Sequence, residues 1–177
     1  MSANKNAFGE SVTKFIDSVQ KAQRMTHAAV VVTAASILDN ELERCIKTKM
    51  RPLDKAMAKR LFENYGPLSS FAAKIDIAYA FGITTPDIND ELNKVRRIRN
   101  AFAHTTQLLS LDREPIRPLF DALKRPSGTQ GDYAEVFMNC IGAINDFLER
   151  YLFHVGITED IAERNKVPNA KPECLKP

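Results

Sequence analysis

The sequence predicts an all-α fold, a single-domain bundle of about six or seven helices. Apolar residues recur at the i, i+3, i+4, i+7 spacing of amphipathic helices in several separate segments, and no segment alternates with the two-residue period of a strand. Glycine is scarce, with 7 among 177 residues, and tryptophan is absent. A chain of this length is large enough for one domain with a sizeable core and too short to expect two.

The first two predicted helices cover residues 10–23 and 26–50, the second with Thr26 as its N-cap. The first helix is short and needs a partner surface to persist. The opening half of the second, HAAVVVTAASIL, is apolar nearly all round, as expected of a central, buried helix. Farther along, Asp39, Glu43 and Lys47 share one face, which is either a solvated face with local ion pairs or a partner for a cation on another helix.

Three further helices are predicted over residues 53–63, 70–81 and 87–103. Ser69 or Ser70 can cap the second of these, which is apolar on almost every side except at Lys74 and Asp76. Because a bare buried carboxylate is very costly, Asp76 either lies on the one solvent-exposed face or pairs with a buried cation. The sequence leaves both alternatives open.

The remaining chain is predicted to hold one more long helix, over residues 132–155. Prolines at positions 115, 118 and 126 exclude a long helix between residues 105 and 130, where residues 118–124 fit a short one. The domain is therefore expected to span residues 1–157. Residues 158–177 form a predicted tail that is either mobile or docks on a partner, because they contain three prolines and lack a periodic apolar set.

Charge and composition exclude several classes of function. The net charge of +3, from 25 basic and 22 acidic residues, is too even to indicate nucleic-acid binding by itself. The three cysteines and three histidines are too scattered for a metal site. Without a glycine-rich phosphate loop or a nucleophile elbow, no cofactor is expected. Neither a signal peptide nor a membrane span is predicted, so a cytoplasmic location is expected.

The candidate site lies at the end of the helix over residues 87–103, in the stretch KVRRIRNAFAH. An advance of about 100° per residue places Arg99 inside the apolar stripe of this helix, and Asn100 and His104 on the opposite side. A core-facing cation needs an acceptor. Asp76 and Asp39 are the two candidates for a structural ion pair with Arg99. The predicted apolar stripe consists of Ile88, Leu92, Val95, Ile98 and Phe102.

Three blocks of the sequence, SILDNELERCI, GPLSSFAAKIDIAYAFGI and ELNKVRRIRNAFAH, resemble the mannitol operon repressor family of bacteria in their order and spacing. The resemblance covers roughly residues 28–110. It implies an all-helical transcriptional regulator that lacks a recognisable DNA-reading motif and acts through a protein partner. A homodimer formed through helix faces is expected, and direct DNA binding is not, since no helix-turn-helix pattern stands out.

The block RNAFAH, residues 99–104, is also similar to HEPN domains, which are helical, usually dimeric modules that include many metal-independent ribonucleases. The resemblance implies a HEPN-like bundle in which Arg99 stabilises the scissile phosphate, His104 transfers protons and Asn100 supports them. The chemistry is consistent, because a guanidinium binds phosphate oxygens and histidine titrates near neutrality. RNA would be a partner only in this alternative.

The helical geometry favours a non-enzymatic role. On an ideal helix Arg99 and His104 lie roughly 140° apart, so they share a pocket only if the helix ends between them or a second chain completes the site. The preferred interpretation is therefore a buried, ion-paired Arg99 whose loss would cost about 3–5 kcal/mol. His104 would then cap the helix C-terminus, where a cation is favoured. No catalytic residue is assigned, and the ribonuclease remains the alternative.

Overall fold

The computed structural model describes the backbone of residues 3–104 and 109–164 and the side chains of residues 14, 16–104 and 109–156. Over these ranges every regular element is a helix, which confirms the predicted all-α bundle. None of the described helices is long and apolar enough to cross a membrane. The six helices are α1 (Ala3–Thr48), α2 (Lys55–Phe62), α3 (Phe71–Ala80), α4 (Pro86–Ala103), α5 (Arg117–Asp121) and α6 (Tyr133–Arg164).

Helix α1 is one continuous element of 46 residues, where the sequence analysis predicts two helices. Thr26 is not an N-cap, because its Oγ1 donates a hydrogen bond back to the carbonyl oxygen of Ala22 at 3.1 Å. Neither glycine nor proline occurs between residues 22 and 27 to interrupt the helical hydrogen bonds. The predicted break is therefore wrong, and the two amphipathic segments form one rod.

Helices α2, α3 and α4 begin within two residues of the starts predicted at residues 53, 70 and 87. Each starts after a residue whose side-chain oxygen accepts the backbone N–H three positions later, and these N-caps are Asp54, Ser70 and Thr85. Gly82 follows α3 with a φ of 66°, a left-handed conformation that glycine adopts without steric cost. These boundaries depend on neighbouring residues only, and for that reason the sequence predicts them well.

Helix α1 is the element around which the bundle packs, since it contacts α3, α4 and α6. The thiol of Cys45 lies 3.7 Å from the carbonyl oxygen of Leu148, and Thr48 Oγ1 lies 3.4 Å from the hydroxyl of Tyr151. Both pairs are 103 residues apart in sequence, so α1 and α6 run parallel. The core between the helices is built from Val31, Ala34, Leu38, Leu42 and Ile46 of α1, Leu92, Val95, Ile98 and Phe102 of α4, and Phe137, Ile141, Ile144 and Leu148 of α6.

The apolar half of α1 is buried on one side only, which corrects the prediction of a helix buried all round. Ala29, Thr33 and Ser36 are exposed, and Val32 and Ile37 keep 42% and 40% of their surface accessible. We call these five residues the outward face of α1. Helices α3, α4 and α6 cover the opposite side of α1, and no other described element covers this one.

The C-terminal helix is longer than predicted. Helix α6 continues to Arg164, so both the predicted helix end at residue 155 and the predicted domain boundary at residue 157 fall inside it. The short helix expected at residues 118–124 is present as α5, from Arg117 to Asp121. The rest of the predicted tail, residues 165–177, lies outside the described part of the chain.

Candidate functional site

The last turns of α4 place Arg99 at a small cavity between α1, α3 and α4. Leu92, Val95, Ile98 and Phe102 are buried, in agreement with the predicted stripe. Arg99, at the edge of that stripe, is half-buried. The cavity has a volume of about 210 Å³, and Ala35, Ser36, Asp39, Ser69, Ser70, Phe71 and Arg99 line it.

The ion pair predicted for Arg99 is not formed with either candidate carboxylate. Its Nη1 donates a hydrogen bond to Oδ1 of the adjacent Asn100 at 3.1 Å. Among the described residues, no ion pair joins the guanidinium to Asp39 or Asp76. Asp76 is exposed, so of its two predicted alternatives it takes the solvent-facing one. Asp39 lies in the same cavity wall as Arg99, but its Oδ2 bonds another cation.

That cation is Lys74, the side chain that the sequence analysis did not assign. Lys74 is only 3% exposed, and its Nζ donates to Oδ2 of Asp39 at 3.2 Å and to Oε2 of Glu43 at 2.8 Å. Asp39 and Glu43 are one helical turn apart on α1 and present both carboxylates to α3. Lys47 adds a local bond to Oε1 of Glu43 at 2.6 Å. The acidic face of α1 therefore forms a local ion pair, with Lys47, and also binds a cation from another helix, Lys74.

The buried lysine changes the acid-base behaviour of its partner. Burial raises the pKa of Glu43, but hydrogen bonds and charges from Lys47 and Lys74 outweigh that effect and hold the pKa below its ordinary value of 4.5. A carboxylate with a depressed pKa stabilises the fold fully above its unfolded-state pKa. That contribution is lost as the pH falls through the folded-state pKa.

We expect Glu43→Gln to lower the melting temperature at neutral pH and to lose this effect in acid. The difference in melting temperature between wild type and variant should shrink as the pH falls below about 4.5, because protonation then removes the same negative charge from the wild type. Thermal unfolding followed by circular dichroism across this pH range measures the difference. If the difference in melting temperature stayed constant with pH, the negative charge of Glu43 would not be what stabilises the fold through Lys74.

His104 occupies a different environment from Arg99. It is the C-cap residue of α4, where its backbone N–H donates to the carbonyl of Asn100 at 3.1 Å, and its side chain is exposed. His104 is not among the residues that line the Arg99 cavity. The structure thus brings Arg99 and Asn100 together and leaves His104 apart within one chain.

A buried histidine and a buried serine meet a half-buried aspartate elsewhere, but in the wrong order for nucleophilic catalysis. Nδ1 of His27 lies 2.9 Å from Oγ of Ser110 and accepts the backbone N–H of Leu111 at 3.2 Å. The Ser110 hydroxyl donates to Asp112, and this hydrogen bond lowers the pKa of the Asp112 carboxyl. In a catalytic triad the histidine stands between the hydroxyl and the carboxylate. Here the serine stands between the histidine and the carboxylate. The network therefore has a structural role, because it connects the segment before α5 to α1.

Glu91 is a second buried polar residue that sequence reasoning missed. It lies on the apolar side of α4, where one carboxylate oxygen accepts Lys94 Nζ at 2.7 Å and the other accepts the backbone N–H of Lys124 at 2.9 Å. The acceptor role of Glu91 depends on a loop 33 residues away in sequence. No local pattern in the sequence indicates it.

The described cysteines are not suited to thiolate chemistry. Cys45 and Cys140 are buried free thiols. Burial raises the pKa of Cys45 to about 12 and also raises the pKa of Cys140, so both are protonated at neutral pH. Within the described ranges, no group of three or more histidine, cysteine, aspartate and glutamate side chains could hold a metal ion.

Compared with known proteins, the chain matches no family model, no curated protein and no solved structure. The relationship to the mannitol operon repressor family, and the HEPN-like character of the bundle, thus stay predictions that rest on the sequence blocks quoted above.

Proposed function

We propose that this protein is a non-enzymatic transcriptional regulator of the mannitol operon repressor type, which works in the cytoplasm as a homodimer and acts through a protein partner. The three sequence blocks suggest the type of regulator. The separation of Arg99 from His104 is the observation that carries the non-enzymatic part. The half-buried Arg99 lines the cavity between α1, α3 and α4, and His104 is exposed at the end of α4.

The environment of α4 also argues against its use as a DNA-reading helix. A recognition helix inserts its side chains into the major groove and needs an open face there. Helix α4 buries Leu92, Val95, Ile98 and Phe102 along its length, and its Lys94 is bound to Asp90 and Glu91 at 2.8 and 2.7 Å. The outward face of α1, by contrast, offers exposed apolar side chains of the kind found in protein interfaces.

One observation favours the ribonuclease alternative. The guanidinium of Arg99 forms no ion pair with any described carboxylate and lines a cavity beside Ser69 and Ser70, at the N-terminus of α3. A guanidinium near free backbone N–H groups suits a phosphate oxygen. Catalysis would then need His104 from a second chain, because the His104 of the same chain lies outside the cavity.

We expect purified wild-type protein and its His104→Ala variant to leave RNA equally intact. The reason is that one chain does not place His104 next to Arg99. The measurement is gel analysis of a long single-stranded RNA incubated with each protein in the absence of metal. Growth of cells that express either protein provides a second readout. Cleavage by wild type that is lost in His104→Ala would establish the ribonuclease and overturn the proposal.

DNA binding provides the complementary test. We expect no tight binding of operator-length duplex DNA at physiological salt when no protein partner is present. Weak binding at low salt should collapse steeply as salt is added, because it would rest on phosphate contacts alone. Tight, salt-resistant binding by the isolated protein would contradict action through a partner.

A further inference from the structure

A cluster of unpaired cations lies where α1 leads into α2. Five side chains form it, all of them exposed, and none takes part in an ion pair with a described carboxylate. Asp54 is the one acidic residue between positions 49 and 61, and its Oδ1 accepts the backbone N–H of Met57 at 2.7 Å as the N-cap of α2. We call this cluster the basic corner, and it consists of Lys49, Arg51, Lys55, Lys59 and Arg60.

Several cations elsewhere in the bundle are neutralised by carboxylates nearby. On α1, Arg44 binds Glu41 at 2.7 Å and Lys47 binds Glu43 at 2.6 Å. The net charge of the whole chain is only +3, yet residues 49–61 alone carry five basic side chains and one acidic one. Because like charges held close together repel one another, the basic corner is suited to a partner that brings negative charge.

The fold gathers these cations at the C-terminal end of α1. Helix α2 has eight residues and is therefore about 12 Å long. Its last residue, the buried Phe62, returns to α1, because Lys47 Nζ lies 4.8 Å from the centroid of the Phe62 ring. Lys55 and Lys59 are four residues apart on α2 and share one side of it. The five charges thus form a compact patch and not a long stripe.

Exposed apolar and aromatic side chains adjoin the cations. Met57 keeps 38% of its surface accessible, and Tyr65 is fully exposed. The turn after α2 lies so close to the helix that a Cβ on Gly66 would lie 2.5 Å from the carbonyl oxygen of Arg60, which places the neighbouring Tyr65 beside the last turn of α2. Met57 is three residues before Arg60 and shares its side of the helix. Methionine, tyrosine and arginine are all enriched in protein interfaces, and this one patch presents all three.

The composition of the patch favours an acidic protein segment over nucleic acid. Cations that met only phosphates would bind weakly at physiological salt, because the affinity of such contacts falls steeply as salt is added. A phosphate backbone also offers nothing apolar to Met57. An acidic segment with interspersed apolar residues offers carboxylates to the cations and apolar side chains to Met57 and Tyr65.

We propose that the basic corner docks an acidic segment of a protein partner. The carboxylates of that segment pair with the exposed lysines and arginines, and its apolar side chains pack on Met57 and Tyr65. This inference rests on the proposed function, since it specifies the surface through which the regulator binds its protein partner.

The first test is the binding of a fluorescein-labelled, glutamate-rich peptide with interspersed leucines, measured by fluorescence anisotropy at physiological salt. We expect the wild type to bind it and a corner variant to bind it about tenfold more weakly, because three charge pairs are lost. The corner variant combines Lys55→Gln, Lys59→Gln and Arg60→Gln. The matched control removes two exposed lysines and one exposed arginine elsewhere and should bind like the wild type; it combines Lys21→Gln, Lys124→Gln and Arg97→Gln.

The folding of both variants is checked by their circular dichroism spectra and melting temperatures. All six substituted positions are exposed, so both properties should match those of the wild type. The inference is overturned if the wild type does not bind the peptide, or if the corner variant binds it no more weakly than the control variant does.

The second test compares this peptide with a fluorescein-labelled oligodeoxythymidine. We expect the oligonucleotide to bind at least about tenfold more weakly than the peptide at physiological salt. Tyr65→Ser should weaken binding of the leucine-containing peptide at least about threefold. It should not affect a peptide with serine in place of leucine, because only leucine packs on the ring. If the oligonucleotide binds as tightly as the peptide, or if Tyr65→Ser weakens only the oligonucleotide through lost base stacking, the basic corner is a nucleic-acid surface and the inference fails.

The inference and the proposed function can fail separately. The experiments on RNA integrity and operator DNA use the wild type and His104→Ala, and they change no cation of the basic corner. Cleavage of RNA would overturn the regulator, whereas binding of the acidic peptide would still establish the docking site. Intact RNA together with no peptide binding would remove only the docking site.

Discussion

Replacing Lys74 by alanine is expected to lower the free energy of unfolding by about 3 kcal/mol. Lys74 is nearly fully buried and is the common partner of Asp39 and Glu43, and its loss leaves two neighbouring carboxylates without that cation. The side chains of Asp39 and Glu43 keep 28% and 24% of their surface accessible, so partial hydration places the cost at the lower end of the range for buried pairs. For a chain of this size the melting temperature should fall by roughly 6–12 °C.

The control for this experiment is Arg99→Ala, which removes the cation that the sequence predicts to be buried. Arg99 is half-buried and bonds only its neighbour Asn100 among the described residues, so the expected loss is about 1 kcal/mol or less. Urea unfolding of both variants gives the two values under the same conditions. If Arg99→Ala proves as destabilising as Lys74→Ala, then Arg99 pairs with Asp39 in solution and the observed assignment of the buried cation fails.

Replacing Phe137 by alanine is expected to cost about 3–5 kcal/mol. Phe137 is fully buried in the core that α6 shares with α1, and alanine would leave a cavity there in addition to the lost burial of the ring. Melting should occur at least about 6 °C lower than in the wild type, measured by scanning calorimetry or circular dichroism.

The same helix offers a matched control for the core substitution. Phe153 lies on α6 as well, but 67% of its surface is exposed. Phe153→Ala makes the identical chemical change and should alter the free energy of unfolding by about 0.5 kcal/mol or less. A large loss at Phe153, or a small one at Phe137, would mean that the rotation of α6 about its own axis differs from the one described.

The sequence by itself determines the helical class, the starts of α2, α3 and α4 to within two residues, and the buried stripe of α4. These features depend on neighbours within one or two turns. Ser70 caps α3 because its Oγ accepts the backbone N–H of Ala73, three residues later. Val95 faces inward because the helical repeat places it on the same side as Leu92 and Ile98. The sequence also identifies Asp39 and Glu43 as a pair that can receive a cation from another helix.

Only the tertiary structure decides which cation that is, and which side of α1 stays open. Lys74 and Arg99 both come from helices that contact α1, but only Lys74 lies within bonding distance of the two carboxylates. That distance depends on how α3 packs against α1. The burial of Glu91 depends in the same way on the backbone of Lys124. Helical periodicity specifies the direction in which a side chain leaves the axis of its helix. Which residue that side chain then contacts depends on how separate helices pack, and no local sequence pattern contains that information.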